Sequence, residues 1–118
     1  MLPVDRRIKK QTLPFIFKQN RAYSSEFFIL RVNFPAVVKI NANQSRFAVI
    51  VANKTIPRAV DRHLVKRRIH QLIQEFKNLK KENLNLIIQI KKSPLNLTME
   101  ELKTELELIF NQARIFNP

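Results

Sequence analysis

The sequence predicts an α+β fold, one small sheet packed against a helical layer, and three observations carry that expectation. Aliphatic and aromatic runs of strand length stand at Glu26 to Asn33, Arg46 to Asn53 and Leu84 to Ile90. Two longer stretches, opening at Pro57 and at Thr98, repeat their apolar residues with helical spacing. Their order, two strands, a helix, a strand and a helix behind a short first helix, is that of a two-layer sandwich. With 118 residues, 45% hydrophobic and 26% charged, the chain has the length of one domain, spanning 1–118, and the composition of one that folds.

Met1 to Lys10 is polar, basic and without a period, and reads as an extended arm able to touch phosphates. Thr12 is placed to cap a short helix with Pro14 in its first turn, where a missing N–H loses no bond. That helix should reach about Asn20 and carry Leu13, Ile16 and Phe17 on one side. Glu26 to Asn33 is rich in β-formers and ends at a Pro-containing break, so it is read as the first strand. Alternation there puts Phe28 and Leu30 on one face and Phe27, Ile29 and Arg31 on the other, leaving one Phe outside the core unless a second layer covers it. Val37 to Ile40 reads as a short extension, and Asn41 to Ser45 as a turn in which Asn takes positive φ in a chain without Gly.

The unbroken apolar stretch Phe47 to Ala52 predicts a strand buried on both faces, hence a central one. Pro57 suits the first turn of a long helix running to about Asn78, with Val65, Ile69, Leu72, Ile73 and Phe76 as its core stripe. Leu84 to Ile90 is a third strand, closed by Ser93-Pro94. Thr98 followed by Glu101 is a capping box, and Leu102, Leu106, Ile109, Phe110 and Ala113 then form one packed face opposite a Glu-rich wet one.

The 22 Lys and Arg residues outweigh 9 Asp and Glu, a formal charge of +13. A surface like this is matched to a polyanion, nucleic acid first and an anionic membrane surface second. No apolar run approaches the ~18 residues that a membrane span needs, and the expectation is a cytoplasmic protein, neither secreted nor inserted. The absence of Cys removes disulfides, thiolate metal sites and a Cys nucleophile, and fits a reducing compartment. The absence of Gly disfavours phosphate-cradling loops and dinucleotide fingerprints, and no small-molecule substrate is expected.

Positive charge concentrates between Arg58 and His70. Arg58, Arg62, Lys66 and His70 are spaced by four and read as a stripe, widened into a patch by His63 and Arg67 beside it. Basic residues on a helix are usually only a solvated face. Here few acidic residues share that half of the helix, so a stripe that neutralises successive phosphates is the stronger reading. His63 and His70 are two turns, roughly 10 Å, apart, too far to share an ion. No metal site and no set of catalytic side chains stands out. Phe17, Phe27 and Phe28 are candidates to stack unpaired bases, against the ordinary alternative of core packing.

Arg46-Phe47-Ala48-Val49-Ile50-Val51-Ala52-Asn53-Lys54, followed by Ala59-Val60-Asp61-Arg62-His63-Leu64-Val65-Lys66-Arg67-Arg68-Ile69, resembles the ribonuclease P protein family. There a buried strand ends in lysine and leads into a helix carrying Arg-Asn-Arg, an apolar residue, then Lys or Arg and Arg. Arg7-Ile8-Lys9-Lys10 with Phe17-Lys18 is similar to the family's basic opening and first helix, and Ser93-Pro94 through Glu101-Leu102 to the lead into its last helix. The resemblance implies a small mixed sheet in a ribonuclease P protein-like fold, akin to the second domain of a small-subunit ribosomal protein, with a left-handed βαβ crossover. It implies two partners, the ribonuclease P RNA, bound 1:1, and precursor tRNA, whose 5′ leader lies in a cleft. The RNA performs the cleavage, with Mg²⁺ acting through RNA and substrate.

Carried over by position, Arg62, Lys66, Arg67 and Lys54 match the RNA-binding motif, with Arg58, His63, Arg68, His70, Arg46, Lys9 and Lys10 joining it by charge and place. Leu13, Phe17 and Arg31 match the leader cleft. The motif's Asn is His63 here and its second Arg is Leu64; Leu13 replaces a Phe, and Arg31 stands where Tyr is common. The alternatives from the residues alone are a general or ribosome-associated RNA-binding module, and a basic domain docking on an acidic protein or membrane.

Overall fold

A computed structural model describes residues 7–33, 45–76 and 84–115. Three helices, α1 (Leu13–Lys18), α2 (Ala59–Glu75) and α3 (Met99–Gln112), accompany a sheet of β1 (Arg21–Ser24), β2 (Phe28–Asn33), β3 (Arg46–Ile50) and β4 (Asn85–Ile90). The sheet order is β1-β2-β4-β3, antiparallel except for the parallel pair β3 and β4, which α2 connects. This is the mixed-sheet α+β sandwich that the sequence predicts.

Strand alternation separates two faces. Phe28, Leu30 and Val32 of β2, Phe47 and Val49 of β3, and Leu86, Ile88 and Ile90 of β4 join Val65, Ile69, Leu72 and Ile73 of α2 and Leu102, Leu106, Ile109 and Phe110 of α3 in one core. The other face carries Ile29, Arg31 and Asn33, then Asn85, Ile87 and Gln89, then Arg46, Ala48 and Ile50. Here α1 packs against β2. Ile16 and Ile87 are both buried, yet stand apart from the main core.

Several expectations are corrected. The interior strands are β2 and β4, the residues of β4 being almost all buried, whereas β3 is an edge strand with every second residue half-exposed. The apolar run misleads because Ala48 and Ile50 are on the α1 side and Ala52 is past the strand. The edge is partly covered by the N-terminal segment, where Ile8 N–H donates to the Phe47 carbonyl at 3.0 Å and Arg7 bridges Phe47. Thr12 makes no side-chain cap; a 3-10 turn, Lys10–Thr12, leads into α1 instead, and α1 ends at Lys18. Of its apolar residues Ile16 is the buried one, while Leu13 is half-buried and Phe17 is exposed.

Strand β1 has no counterpart among the elements expected from the sequence. Arg-Ala-Tyr-Ser lacks an aliphatic pattern because this strand is an exposed edge. Both Phe27 and Phe28 are buried, since Phe27 lies in the turn before β2 and is not bound by the strand's alternation. Pro57 stands outside α2, whose N-cap is Arg58. Residues 1–6 of the arm, Val37 to Ile40, Asn41 to Gln44 and the helix end at Asn78 lie outside the described residues.

Helix α3 has the capping box: Glu101 N–H donates to Thr98 Oγ1 at 3.1 Å and Thr98 N–H to Glu101 Oε1 at 2.9 Å. At its other end Ile115 N–H donates to the Phe110 carbonyl and Arg114 N–H to the Asn111 carbonyl, a Schellman closure that buries Ile115. The left-handed residue this closure needs is Arg114, at φ 57°. A Cβ in that region costs about 1 kcal/mol or more, which Gly avoids. Arg114→Gly is therefore expected to stabilise the fold by about 1 kcal/mol, read as a higher urea midpoint at constant slope.

Candidate nucleic-acid interface

The basic helix residues do not form one stripe. Positions four apart advance by about 400°, so each step drifts about 40° around the axis. Arg58, Arg62, Lys66 and His70 therefore spiral from the core side to a flank. Arg62 is turned under the helix start, where Nη1 donates to the carbonyls of Ile56 at 2.9 Å and Pro57 at 2.7 Å. Its charge anchors the loop that enters α2. Arg58 is exposed and lies 3.9 Å from Asp61.

Beyond this first turn the geometry favours contact with a polyanion. His63 and Arg67 are exposed on the side opposite the core, with Lys66 and His70 half-buried on the adjoining flank. Arg68 is on the other flank, about 160° around the axis from Lys66, and does not join this surface. Among the described residues none of His63, Lys66, Arg67 and Arg68 has an ion-pair or hydrogen-bond partner. Repulsion within this surface is thus relieved by solvent or by a bound anion.

His70 is the exception to the charge expectation. Burial of its ring, with Lys66 and Arg7 close enough to repel a proton, holds it below the ordinary value near 6.5, so it is neutral at pH 7. Its Nδ1 is buried without a hydrogen-bond partner among the described residues. Because the folded state binds this proton less readily than the unfolded chain, His70 favours folding above pH 6.5, and that contribution is lost as pH falls through its depressed value. Wild type should accordingly lose more of its melting temperature than His70→Gln when acidified from about pH 7.5 to 5. Its electrostatic interaction with Arg7 also places that residue near this flank of α2.

Lys54 is exposed in the turn after β3, closed by Thr55 and Ile56 N–H bonds to the Ala52 carbonyl. Lys9 and Lys10 are exposed at the start of the 3-10 turn. Arg46 is separate from these: it opens β3, at the opposite end from Lys54, and Nε donates to Asn85 Oδ1 at 2.9 Å on the outer sheet face.

That outer face gathers the second set of residues. Arg31 lies over the Phe17 ring, 5.3 Å from its centroid. Its guanidinium is fixed from both sides, Nε donating to Gln89 Oε1 at 2.6 Å and Nη1 to Asn20 Oδ1 at 3.3 Å. Asn20 in turn closes α1, its amide donating to the carbonyls of Ile16 and Phe17. Leu13 shares the Phe17 side of α1 by its spacing of four. A row of amides continues across the sheet: Asn85 Nδ2 donates to Asn33 Oδ1, and Asn33 Nδ2 to the Gln19 carbonyl.

Leu13, Phe17 and Arg31 are thus brought together, while Asn20, Asn33, Asn85 and Gln89 are additions that the sequence reading does not contain. Strand alternation carries the signal for three of these, since Asn33 follows Arg31 by two, and Asn85, Ile87 and Gln89 share one face of β4. The partner register needed to join them is a property of the fold. Phe15, 71% exposed on α1, is a further addition. Among the described residues no three His, Cys, Asp or Glu side chains gather as metal ligands, and no helix is long and apolar enough to cross a membrane.

Comparison with known proteins gives one answer. The ribonuclease P family profile matches residues 2–114. A ribonuclease P protein component of Pediococcus pentosaceus is 33% identical over 113 residues, covering 93% of this chain and 89% of its own. One from Synechocystis is 26% identical over 117 residues, covering 98% and 91%. In three dimensions the Staphylococcus aureus RNase P protein superimposes with a TM-score of 0.79 at 19% identity, over 95% of this chain and 98% of that one. The Thermotoga maritima RNase P protein does so with a TM-score of 0.72 at 17% identity, over 89% and 96%. At these identities the structures speak for the fold. The profile and the Pediococcus relative speak for descent, and on them the chain belongs to the ribonuclease P protein family.

Proposed function

We propose that this chain serves as the protein component of ribonuclease P, gripping the catalytic RNA subunit in a 1:1 complex while it holds the 5′ leader of precursor tRNA. Its place is the cytoplasm, where the substrate is made. The observation that carries this reading is the division of the family's functional positions into two surfaces. Lys66, Arg67 and His63 of α2, which have no ion-pair or hydrogen-bond partner among the described residues, together with the exposed Arg7, Lys9, Lys10 and Lys54, offer donors and charge to an RNA backbone. Phe17, Leu13 and Arg31, with Arg46 along the sheet, offer an aromatic and planar cationic platform to unpaired bases.

The RNA subunit carries the chemistry, and the Mg²⁺ it needs is held by RNA oxygens rather than by this chain. The chain's own residues position and neutralise. Cations between two polyanions offset repulsion that added Mg²⁺ must otherwise screen, so less Mg²⁺ is needed for assembly. Arg62 contributes by fixing the entry loop of α2, and so the pitch at which Lys66 and Arg67 are presented.

The leader-binding half is tested by equilibrium binding of the reconstituted RNA and protein to precursor and mature tRNA. The expected result is a preference of about tenfold or more for the precursor, about the 1.4 kcal/mol that a single stacked base supplies. Equal affinity for both, with tight binding to unrelated RNAs, would instead fit a general RNA-binding protein.

A further inference from the structure

The Phe17 and Arg31 platform is chemically lopsided, and the imbalance bears on which base it accepts. A guanidinium has donors only, so the amide oxygens of Asn20 and Gln89 both face it. With Gln89 Oε1 committed to Arg31 at 2.6 Å, the Gln89 NH₂ group remains as a donor on the residue bonded to the guanidinium. The Asn20 NH₂ group is used on the carbonyls of Ile16 and Phe17. Among the described residues neither Gln89 Nε2 nor Arg31 Nη2 has a partner. The hydrogen-bonded pair Arg31 and Gln89 thus keeps two donor groups, Arg31 lies over an aromatic ring that is 39% exposed, and the amide oxygens of Asn20 and Gln89 are both taken up by the guanidinium.

We infer that this site selects a guanine in the single-stranded leader, stacked at Phe17 with its O6 and N7 accepting from Arg31 and Gln89. The inference rests on the leader-binding function proposed above and adds a base preference to it. Guanine presents two neighbouring acceptors on one edge, whereas adenine there presents N7 and the N6 amino donor. Adenine would set its amino group against donors that cannot accept. Both purines offer a similar stacking area, so the difference between them isolates the edge contact from stacking. Uracil has acceptors but a smaller ring, and cytosine again brings an amino donor.

Arg31 and Gln89 are specificity-determining residues in this scheme. Both are held by the fold, Arg31 by α1 and β4 together, so the site is organised before a base arrives. Arg31→Lys keeps the charge yet loses the planar stack and the fork. Gln89→Met keeps the side-chain length yet removes the donor and the guanidinium's partner. Neither change reaches the α2 surface.

The test uses the full chain and seven-nucleotide single-stranded RNAs that differ only at the central base, at fixed salt. Guanine should bind at least about fivefold tighter than adenine, the low end of discrimination by a bidentate contact. In Arg31→Lys and Gln89→Met the ratio should fall to near unity, with the salt slope of overall binding unchanged. A parallel series of precursor tRNAs, each with one guanine moved along an adenine leader, should show the same preference at a single leader position in the reconstituted enzyme. Equal affinities for guanine and adenine, or a preference for adenine, overturn the inference. If the reconstituted enzyme still prefers precursor over mature tRNA in that case, the proposed function stands without it. A guanine preference in the oligonucleotides that appears at no leader position rejects the leader as the occupant.

Discussion

Replacing Lys66 and Arg67 together by Gln is expected to weaken binding to ribonuclease P RNA by roughly tenfold or more and to flatten its salt dependence. Each phosphate left without its cation should lower the log-log slope by about 0.7 to 0.9, so the pair should remove about 1.4 to 1.8. Both side chains lack a protein partner among the described residues, and neither belongs to the core, so folding stability should move by no more than about 0.5 kcal/mol. Binding isotherms at three or more salt concentrations, with a urea titration of each protein, separate these effects. The contrast is Arg62, whose guanidinium bonds two loop carbonyls. Arg62→Gln should lose stability as well as affinity, by an amount on the order of the 1.5 to 3 kcal/mol of a charge-assisted bond.

Phe110→Ala is expected to have the largest effect on the fold. The ring is fully buried, meets Phe47 at 6.3 Å and Phe76 edge-on at 5.7 Å, and so ties α3 to β3 and to the end of α2. Truncating a buried Phe costs about 3 to 5 kcal/mol. A domain of this size has about 5 to 15 kcal/mol in total, so the variant should sit close to the edge of folding. Urea unfolding followed by far-ultraviolet circular dichroism gives the number directly. Phe17→Ala, by comparison, removes an exposed ring and should cost little stability while it weakens leader binding.

These two expectations differ in how readily the sequence reveals them. Phe110 is legible because it recurs with Leu102, Leu106 and Ile109 at helical spacing behind a capping box, and every local signal agrees. The stripe of α2 and the strand β4 are legible for the same reason. Strand β1 is not, since an edge strand needs no aliphatic face, and its pairing with β2 comes from a tight turn at Ser25 to Phe28. The edge position of β3 is hidden as well, because an apolar run does not say which of its sides meets another strand and which meets only the segment around Ile8.

The interface divides in the same way. That positive charge gathers on α2 follows from the residues alone. Which charges are available does not, because a spacing of four drifts around the helix and only the fold shows Arg62 folded under its own N-terminus and Arg68 on the far flank. His70 looks like another cation in the sequence, yet burial beside Lys66 and Arg7 leaves it neutral. Gln89 and Asn20 are unremarkable in sequence and become informative only when the register of β2 on β4 and the end of α1 bring them to either side of Arg31.

The most direct measurement is cleavage of a 5′-extended precursor tRNA by a bacterial ribonuclease P RNA at low Mg²⁺, with and without this protein. The account predicts stimulation, with cleavage at the correct mature 5′ end, and loss of that stimulation in the Lys66 and Arg67 double variant. Unchanged cleavage in the presence of folded protein that binds the RNA would contradict it.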